Sequence, residues 1–271
     1  MMKPIWLLWV WLVLCLDLSA QETLSKTLSA DGINTFTGYF EWGNATFSSW
    51  EKDEIEIEAT YSINDGENND AFQLTVKEND GEVSLNVDIK NIESLPKKIV
   101  VWKYGKKYSF PVGKNEDESI QKVKKELGED VQMYSQGVDL EIEVKVKVPA
   151  SLKVKVEANY GNLYFENFRN RVVAKNTYGG IEAKFDEGAS PQKAELFSTY
   201  SFVDVSLASS QGRDISMITE YGSLFTDLDI VLDEGKSEER SYYQRVAGTV
   251  NDGGNPLKME STYSNVYLRK M

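Results

Sequence analysis

From Val138 onward, apolar and polar residues alternate. Val138, Leu140, Ile142, Val144, Val146 and Val148 form one run, and Val154, Val156 and Ala158 the next; later come Val203, Val205 and Leu207, Ile215, Met217 and Thr219, and Leu224, Thr226, Leu228 and Ile230. A period of two is that of a β-strand with one buried face. Between many of these runs a short pattern returns: usually a small or polar residue, then Tyr, often Gly or Ser, any residue, and an aliphatic. Its copies are Asn159-Tyr160-Gly161-Asn162-Leu163, Thr177-Tyr178-Gly179-Gly180-Ile181, Thr199-Tyr200-Ser201-Phe202-Val203, Glu220-Tyr221-Gly222-Ser223-Leu224, Tyr242-Tyr243-Gln244-Arg245-Val246 and Thr262-Tyr263-Ser264-Asn265-Val266. The tyrosines lie 18, 22, 21, 22 and 20 residues apart. Tyr160 continues the parity of Val154, Val156 and Ala158, whereas Leu163 starts a new run. The pattern therefore predicts an inward Tyr160 followed by a bend or bulge.

One such segment cannot fold alone. Ordering its backbone costs about 1–2 kcal/mol per residue, while each inward aliphatic returns about 1.5–3 kcal/mol. The segments are expected to stack, so that each strand pairs above and below and the aliphatics share one interior. This gives an all-β fold, a β-solenoid with layers of about twenty residues; an antiparallel β-sandwich or barrel is the alternative.

The first half is less regular. Trp42-Gly43-Asn44-Ala45 reads as a corner with Trp in the Tyr place, and Ile55, Ile57, Ala59 and Tyr61 repeat the approach strand, so two further layers are expected there. Phe72, Leu74 and Val76, then Val83, Leu85, Val87 and Ile89, flank Asn79-Asp80-Gly81, a hairpin signal. Between them and Val138 lies a Lys-rich, polar stretch with a helix expected from an N-cap at Ser119 through Ile120, Val123 and Leu127 to Gly128. The organisation read from this is a signal peptide at 1–20, β layers and a hairpin at 21–94, an insertion or cap with a short helix at 95–137, and regular layers at 138–271.

The signal peptide rests on Lys3, an unbroken apolar run over residues 5–16 and the small pair Ser19-Ala20. The run is too short to span a bilayer, which takes roughly 20 apolar residues, and cleavage is expected after Ala20. Cys15, the one cysteine, falls inside that run, and Leu14 before it is not the small residue a lipidation signal wants. The remainder has no cysteine and no histidine. Ser-His-Asp and Cys-His nucleophile systems and His- or Cys-based metal sites are thereby excluded after cleavage, and no phosphate-binding loop or dinucleotide fingerprint occurs. The net charge of −13 is unchanged by cleavage, which removes Lys3 and Asp17 together. Such acidity opposes binding to nucleic acid or anionic lipid, and no membrane insertion is expected once the signal is removed.

The residues 43–59, Gly-Asn-Ala-Thr-Phe-Ser-Ser-Trp running into Glu-Ile-Glu-Ile-Glu-Ala, together with Val148-Pro149-Ala150-Ser151-Leu152-Lys153-Val154 leading into Tyr160-Gly161-Asn162-Leu163, resemble the bacterial putative-adhesin family of exported β-solenoid domains. The resemblance covers most of the chain after residue 20. It implies a right-handed, mostly parallel solenoid in the envelope or outside the cell, an adhesin-like role and no catalytic residues. The Tyr corners and the 95–137 insertion depart from the family's usual pattern.

Stacked at about 4.8 Å per layer, Tyr160, Tyr178, Tyr200, Tyr221, Tyr243 and Tyr263 form the candidate binding strip, facing sugar rings or a partner surface, unless they serve as a structural corner stack. Asp227 and Asp229, on one face of the expected 224–230 strand, are the weak candidates for calcium or a glycosidic acid/base pair, against a solvated face; no metal or other cofactor is expected. Lys97, Lys98, Lys103, Lys106 and Lys107, with Trp102, Tyr104 and Tyr108 among them, read as the solvated side of a hairpin. The function read from the sequence is a non-enzymatic, adhesin-like module of the periplasm, outer surface or medium, whose partner is a glycan or an envelope or surface protein. The alternatives are a β-helix polysaccharide-active enzyme using Asp or Glu and a periplasmic structural or signalling accessory. Self-association through the solenoid ends is a further expectation. The chain closes on Tyr267-Leu268-Arg269-Lys270-Met271 right after a repeat, so no C-terminal membrane barrel or wall anchor is expected.

Overall fold

The computed structural model describes residues 21–129, 131, 135–186, 192–208 and 210–271; the expected signal peptide lies outside them. Among the described residues the fold is all-β with one α-helix, two large mixed sheets and one small antiparallel sheet, none closed on itself. Two large sheets face each other across a single core. The chain alternates between them: a strand of one sheet, a corner, then a strand of the other.

Six such layers lie side by side. In spatial order they are Thr35–Trp42 with Asn44–Trp50, Lys153–Tyr160 with Leu163–Phe168, Val172–Asn176 with Ile181–Phe185, Ala194–Ser198 with Val203–Leu207, Pro256–Ser261 with Val266–Lys270, and Arg213–Thr219 with Leu224–Thr226. All pairing between neighbouring layers is parallel. The register puts like on like. Phe36, Val154, Val172, Ala194, Leu257 and Ile215 form one inward column, and Ala45, Leu163, Ile181, Val203, Val266 and Leu224 the facing one. All but Leu224 are buried. Apart from the edge strand Leu224–Thr226, each strand of these layers thus has neighbours on both sides to pair with and its apolar side out of water, which no layer achieves alone.

Sequence order and spatial order differ at one place. The last layer, residues 256–270, sits between the 194–207 and 213–226 layers, where sequential stacking would leave no gap. The first half also differs from expectation, since it contributes one layer and not two. Glu54–Ile63 is not an approach strand but an antiparallel strand between Glu22–Ser29 and Leu140–Pro149, sealing one end of the nine-stranded sheet. An alternating run reads the same whichever way its neighbour points, so parity alone does not separate the two. At the same end, the other sheet is sealed by the antiparallel hairpin of Phe72–Asn79 and Glu82–Ile89. Its turn has positive φ at Asp80 and Gly81, the primed geometry that matches strand twist.

The 95–137 stretch carries a three-stranded sheet of Lys98–Lys103, Lys106–Pro111 and Ser135–Gly137 with the helix Glu116–Leu127. Its own core holds Ile99, Val101, Val123 and Val131. The helix begins one turn before the expected position. Asn115 is the N-cap, accepting from the Asp117 N–H, while Ser119 is buried and accepts from the Gly113 N–H at 2.9 Å. Lys98 is not solvated as its cluster predicted: it is buried and its ammonium donates to Asn64 O and Asp65 Oδ2, both at 2.8 Å. Lys107 reaches Asp139 at 2.7 Å.

The Lys98 ammonium holds the Asp65 carboxyl below the ordinary aspartate value. Because the folded pKa is depressed, the contribution is present above about pH 4, the usual aspartate value, and is lost as pH falls through the folded value. Asp65→Asn is therefore expected to lower the urea midpoint at neutral pH, with the gap to the parent closing at strongly acid pH. A gap that stays constant with pH would count against the Lys98–Asp65 contact.

Candidate binding site: an aromatic ladder

The corners bring the tyrosines together. Trp42, Tyr160, Tyr178, Tyr200, Tyr263, Tyr221 and Tyr242 form one continuous file, with successive ring centroids 4.5, 4.8, 5.1, 5.0, 5.2 and 5.6 Å apart. The first five steps are stacked within 6–11° of parallel; the last, onto Tyr242, is tilted by 33°. At about 4.8 Å per strand, the file extends roughly 30 Å along the molecule. The spacing of the rings is the spacing of the backbone ladder beneath them.

Five of the six tyrosines read from the repeats lie in this file, with Tyr263 between Tyr200 and Tyr221. Tyr243 does not: its ring packs under the Arg240 guanidinium at 4.7 Å, and the neighbouring Tyr242 takes the terminal place. Strand parity misleads at Tyr160, which is 42% exposed and not inward. The strand runs to Tyr160, but its register to the neighbouring strand skips Asn159 and resumes with Tyr160 opposite Trp42, so the alternation is broken before the ring, which joins the outer edge of the corner. Exposure of the six ladder tyrosines runs from 42% to 71%, so the file is open to solvent along its length. Their faces are largely covered by one another, and what they present outward is ring edges and phenol groups. Desolvation, then the neighbouring Tyr178 phenol, raises the Tyr160 pKa above its ordinary value.

A second, buried ladder holds the corners in place. Two residues before each of four tyrosines stands Asn176, Ser198, Ser261 or Thr219, all nearly inaccessible. Each side-chain oxygen accepts the N–H of the residue three further on, at Gly179, Ser201, Ser264 and Gly222. Each side chain also donates to the carbonyl just after the tyrosine of the adjacent layer, at Gly161, Gly179, Ser201 and Ser264. One side chain thus satisfies its own turn and ties it to the next, an arrangement in which loss of one member leaves buried backbone groups unpaired. These residues were missed in the sequence reading. Their signal was a polar Asn, Ser or Thr at an inward-parity position, the second before Tyr.

The weak acidic candidates are not brought into a site. The strand of Leu224–Thr226 ends before Asp227, and the expected continuation through Ile230 is not a strand. Asp227 Oδ1 accepts the Lys270 N–H at 2.7 Å, and both Asp227 and Asp229 are exposed. Among the described residues no group of three or more acidic, His or Cys side chains is placed to hold a metal ion. A groove lined by Asp214, Asp233, Glu234, Lys236, Arg245 and Lys258 among others has two of its three acids engaged: Asp233 pairs with Lys236 at 2.8 Å and Asp214 accepts the Gly254 N–H.

Neither a family model nor a curated protein sequence matches the chain. Among solved structures it is similar to a putative cell adhesion protein from Clostridium sporogenes, with a TM-score of 0.56 over 93% of this chain and 100% of that one, at 10% identity. The likeness is one of fold. Putative adhesins from Bacteroides fragilis and Parabacteroides merdae align over 92% and 91% of this chain and 97% and 96% of theirs, at 9% and 10% identity. Their TM-scores of 0.30 and 0.24 are too low to carry an argument. With the Clostridium protein the shared property is therefore the all-β arrangement, and the binding chemistry of this chain has to be argued from its own corners. Among the described residues no helix is long and apolar enough to cross a membrane.

Proposed function

We propose that this chain is an exported, non-enzymatic binding module of adhesin type, that its layers form a right-handed β-solenoid, and that the aromatic ladder is its contact surface. Its ligand is a neutral, hydroxyl-rich polymer, an uncharged glycan chain above all. The observation that carries this reading is the contrast between the ladder and the rest of the molecule. Charged residues make up 27% of the chain and its net charge is −13. Yet the four central corners, at Tyr160, Tyr178, Tyr200 and Tyr263, hold no charge from the residue before the tyrosine to the second after it. They consist of Tyr, Thr, Ser, Asn and Gly with one Phe. That is the composition of recognition surfaces that combine rigid aromatic area with adaptable hydrogen bonding. Acidic surroundings disfavour polyanions, and phenols repeating along a straight file suit an extended chain of repeated hydroxyls.

Placement outside the cytoplasm rests on the N-terminal signal pattern and on the adhesin-like fold shared with the Clostridium protein. The absence of histidine and the engagement of Asp214 and Asp233 in the groove support a role without catalysis.

The test is a panel of neutral glucans and galactans set beside polygalacturonate. Neutral polymers are expected to bind, with little dependence on added salt, and the polyuronate to bind weakly. Replacing Tyr178, Tyr200 and Tyr263 together with Ser should cost at least tenfold in affinity while the far-ultraviolet dichroism is kept. Undiminished binding by that triple variant, or preference for the polyanion, would count against the ladder as the contact surface.

A further inference from the structure

The seat of the last layer is unusual for a stacked fold, because the two layers that flank it are consecutive in the chain. Residues 194–207 and 213–226 are joined by the short link 208–212, and residues 256–270 lie between them. The seat is lined on both sides by parallel ladders: Ala194 and Ile215 both face Leu257, and Val203 and Leu224 both face Val266. The intruding layer and its outer neighbour read almost alike. Leu257-Lys258-Met259-Glu260-Ser261 and Ile215-Ser216-Met217-Ile218-Thr219 share an aliphatic, Met and hydroxyl at matching places, and Tyr263 and Tyr221 follow two residues after each hydroxyl.

The corner bonds are equally matched. Ser261 donates to Ser201 O at 2.7 Å and Thr219 to Ser264 O at 2.8 Å. The link that brings residues 256–270 back is a tight arch across the start of the Arg213–Thr219 strand, with positive φ at Asn251, Asp252, Gly253 and Gly254 and Asn251 Nδ2 donating to Gln211 O. The seat is thus defined by its two walls. Nothing in its ladders or corner bonds depends on the occupant being covalently joined through the arch.

We infer that the 256–270 layer is an exchangeable element: the seat accepts the same layer from a second copy of this chain, giving strand-exchanged dimers or longer assemblies. One feature favours this: the arch that returns the layer must pass close over Gly212. A built Cβ there would lie 2.2 Å from Gly253 O. Exchange replaces the arch by an extended link and keeps every ladder and corner bond. This goes beyond the ladder as a binding surface and does not need it: exchanged copies would carry intact ladders side by side, raising the number of contact strips per assembly.

The outward pair Glu195 and Lys258, facing each other across parallel strands, gives a direct test in a Cys15→Ser background. One chain carries Glu195→Cys and a second, distinguishable by a mass tag, carries Lys258→Cys. The two are unfolded together, refolded over a range of protein concentrations and oxidised in air. The expected result is a disulfide-linked mixed pair whose yield rises with concentration and which is absent when the two native proteins are mixed without unfolding. A chain with both substitutions should close its own disulfide at high dilution, reporting that both sites fold and meet. Closure in that double variant with no mixed pair at any concentration would overturn exchange. Lack of closure would overturn the seat itself and with it the proposal.

Discussion

Gly179→Ala is expected to lower the free energy of unfolding by about 3 kcal/mol or more, at the severe end of single substitutions. A Cβ at this position would lie 1.7 Å from Gly161 O, 2.5 Å from its carbonyl carbon and 2.7 Å from the Asn176 amide nitrogen. None of these is the free end of a flexible side chain. The Asn176 amide is itself held by bonds to Gly161 O and the Gly179 N–H, so relief requires the 159–163 and 177–181 corners to move apart. That separation breaks the buried ladder and the Tyr160–Tyr178 stack at once. Ser occupies the corresponding place in two other corners, so the prediction is specific to the close approach at Gly179. Gly235→Ala is the control: its nearest neighbour is Asp233 Oδ1 at 3.5 Å, and a change within about 0.5 kcal/mol is expected. Urea denaturation of both variants decides the matter, and equal midpoints would mean that the corners are not packed this tightly.

Phe47→Ala is expected to cost about 3–5 kcal/mol, the range for deleting a buried Phe. Phe47 is fully buried, stacks on Phe165 at 5.4 Å, and takes edge contacts from Phe36 at 6.1 Å and Phe40 at 5.8 Å. This cluster joins the one layer of the first half to the layers of the second half, so the cavity would open at the seam between distant parts of the chain. A single unfolding transition of lower midpoint is expected. A loss under about 1 kcal/mol would be inconsistent with a continuous core across that seam.

Much of the architecture was legible because it follows from local patterns. The Tyr corners mark the points where strands end, the period of two picks out the inward aliphatics, and Asp80-Gly81 fixes a hairpin by its backbone preference alone. Trp42 was readable as a corner because Gly43-Asn44 repeats the Gly161-Asn162 that follows Tyr160, with an apolar residue next in both. The order of the layers was not legible. Ile215 with Met217 and Leu257 with Met259 present the same apolar face, so either could lie on Ala194 and Leu196, and the choice is made by the arch at 251–255 and by Thr219 bonding to Ser264 O. Strand direction was hidden for the same reason at Ile55, Ile57 and Ala59, whose alternation fits an antiparallel neighbour as well as a parallel one. In the ladder, Tyr242 was missed for Tyr243 because two adjacent tyrosines satisfy one motif, and the Arg240 guanidinium decides which ring is drawn away. The role of the inward Asn176, Ser198, Ser261 and Thr219 was not legible, since it appears only when a neighbouring corner supplies a carbonyl.

The central claim is that corners stack in register, with the 256–270 layer seated between the 194–207 and 213–226 layers. Two double-cysteine variants in a Cys15→Ser background test it. Glu195→Cys with Lys258→Cys places the thiols on directly facing residues, within the Cα separation of about 4.4–6.8 Å that a disulfide needs; Glu195→Cys with Ser216→Cys places them two strands apart, because Ser216 faces Lys258 and not Glu195. Rapid intramolecular closure of the first pair with none in the second is the predicted result at high dilution. Closure of the Glu195 and Ser216 pair, with the Glu195 and Lys258 pair left open, would contradict the layered order on which the ladder, its corner bonds and the proposed binding strip all rest.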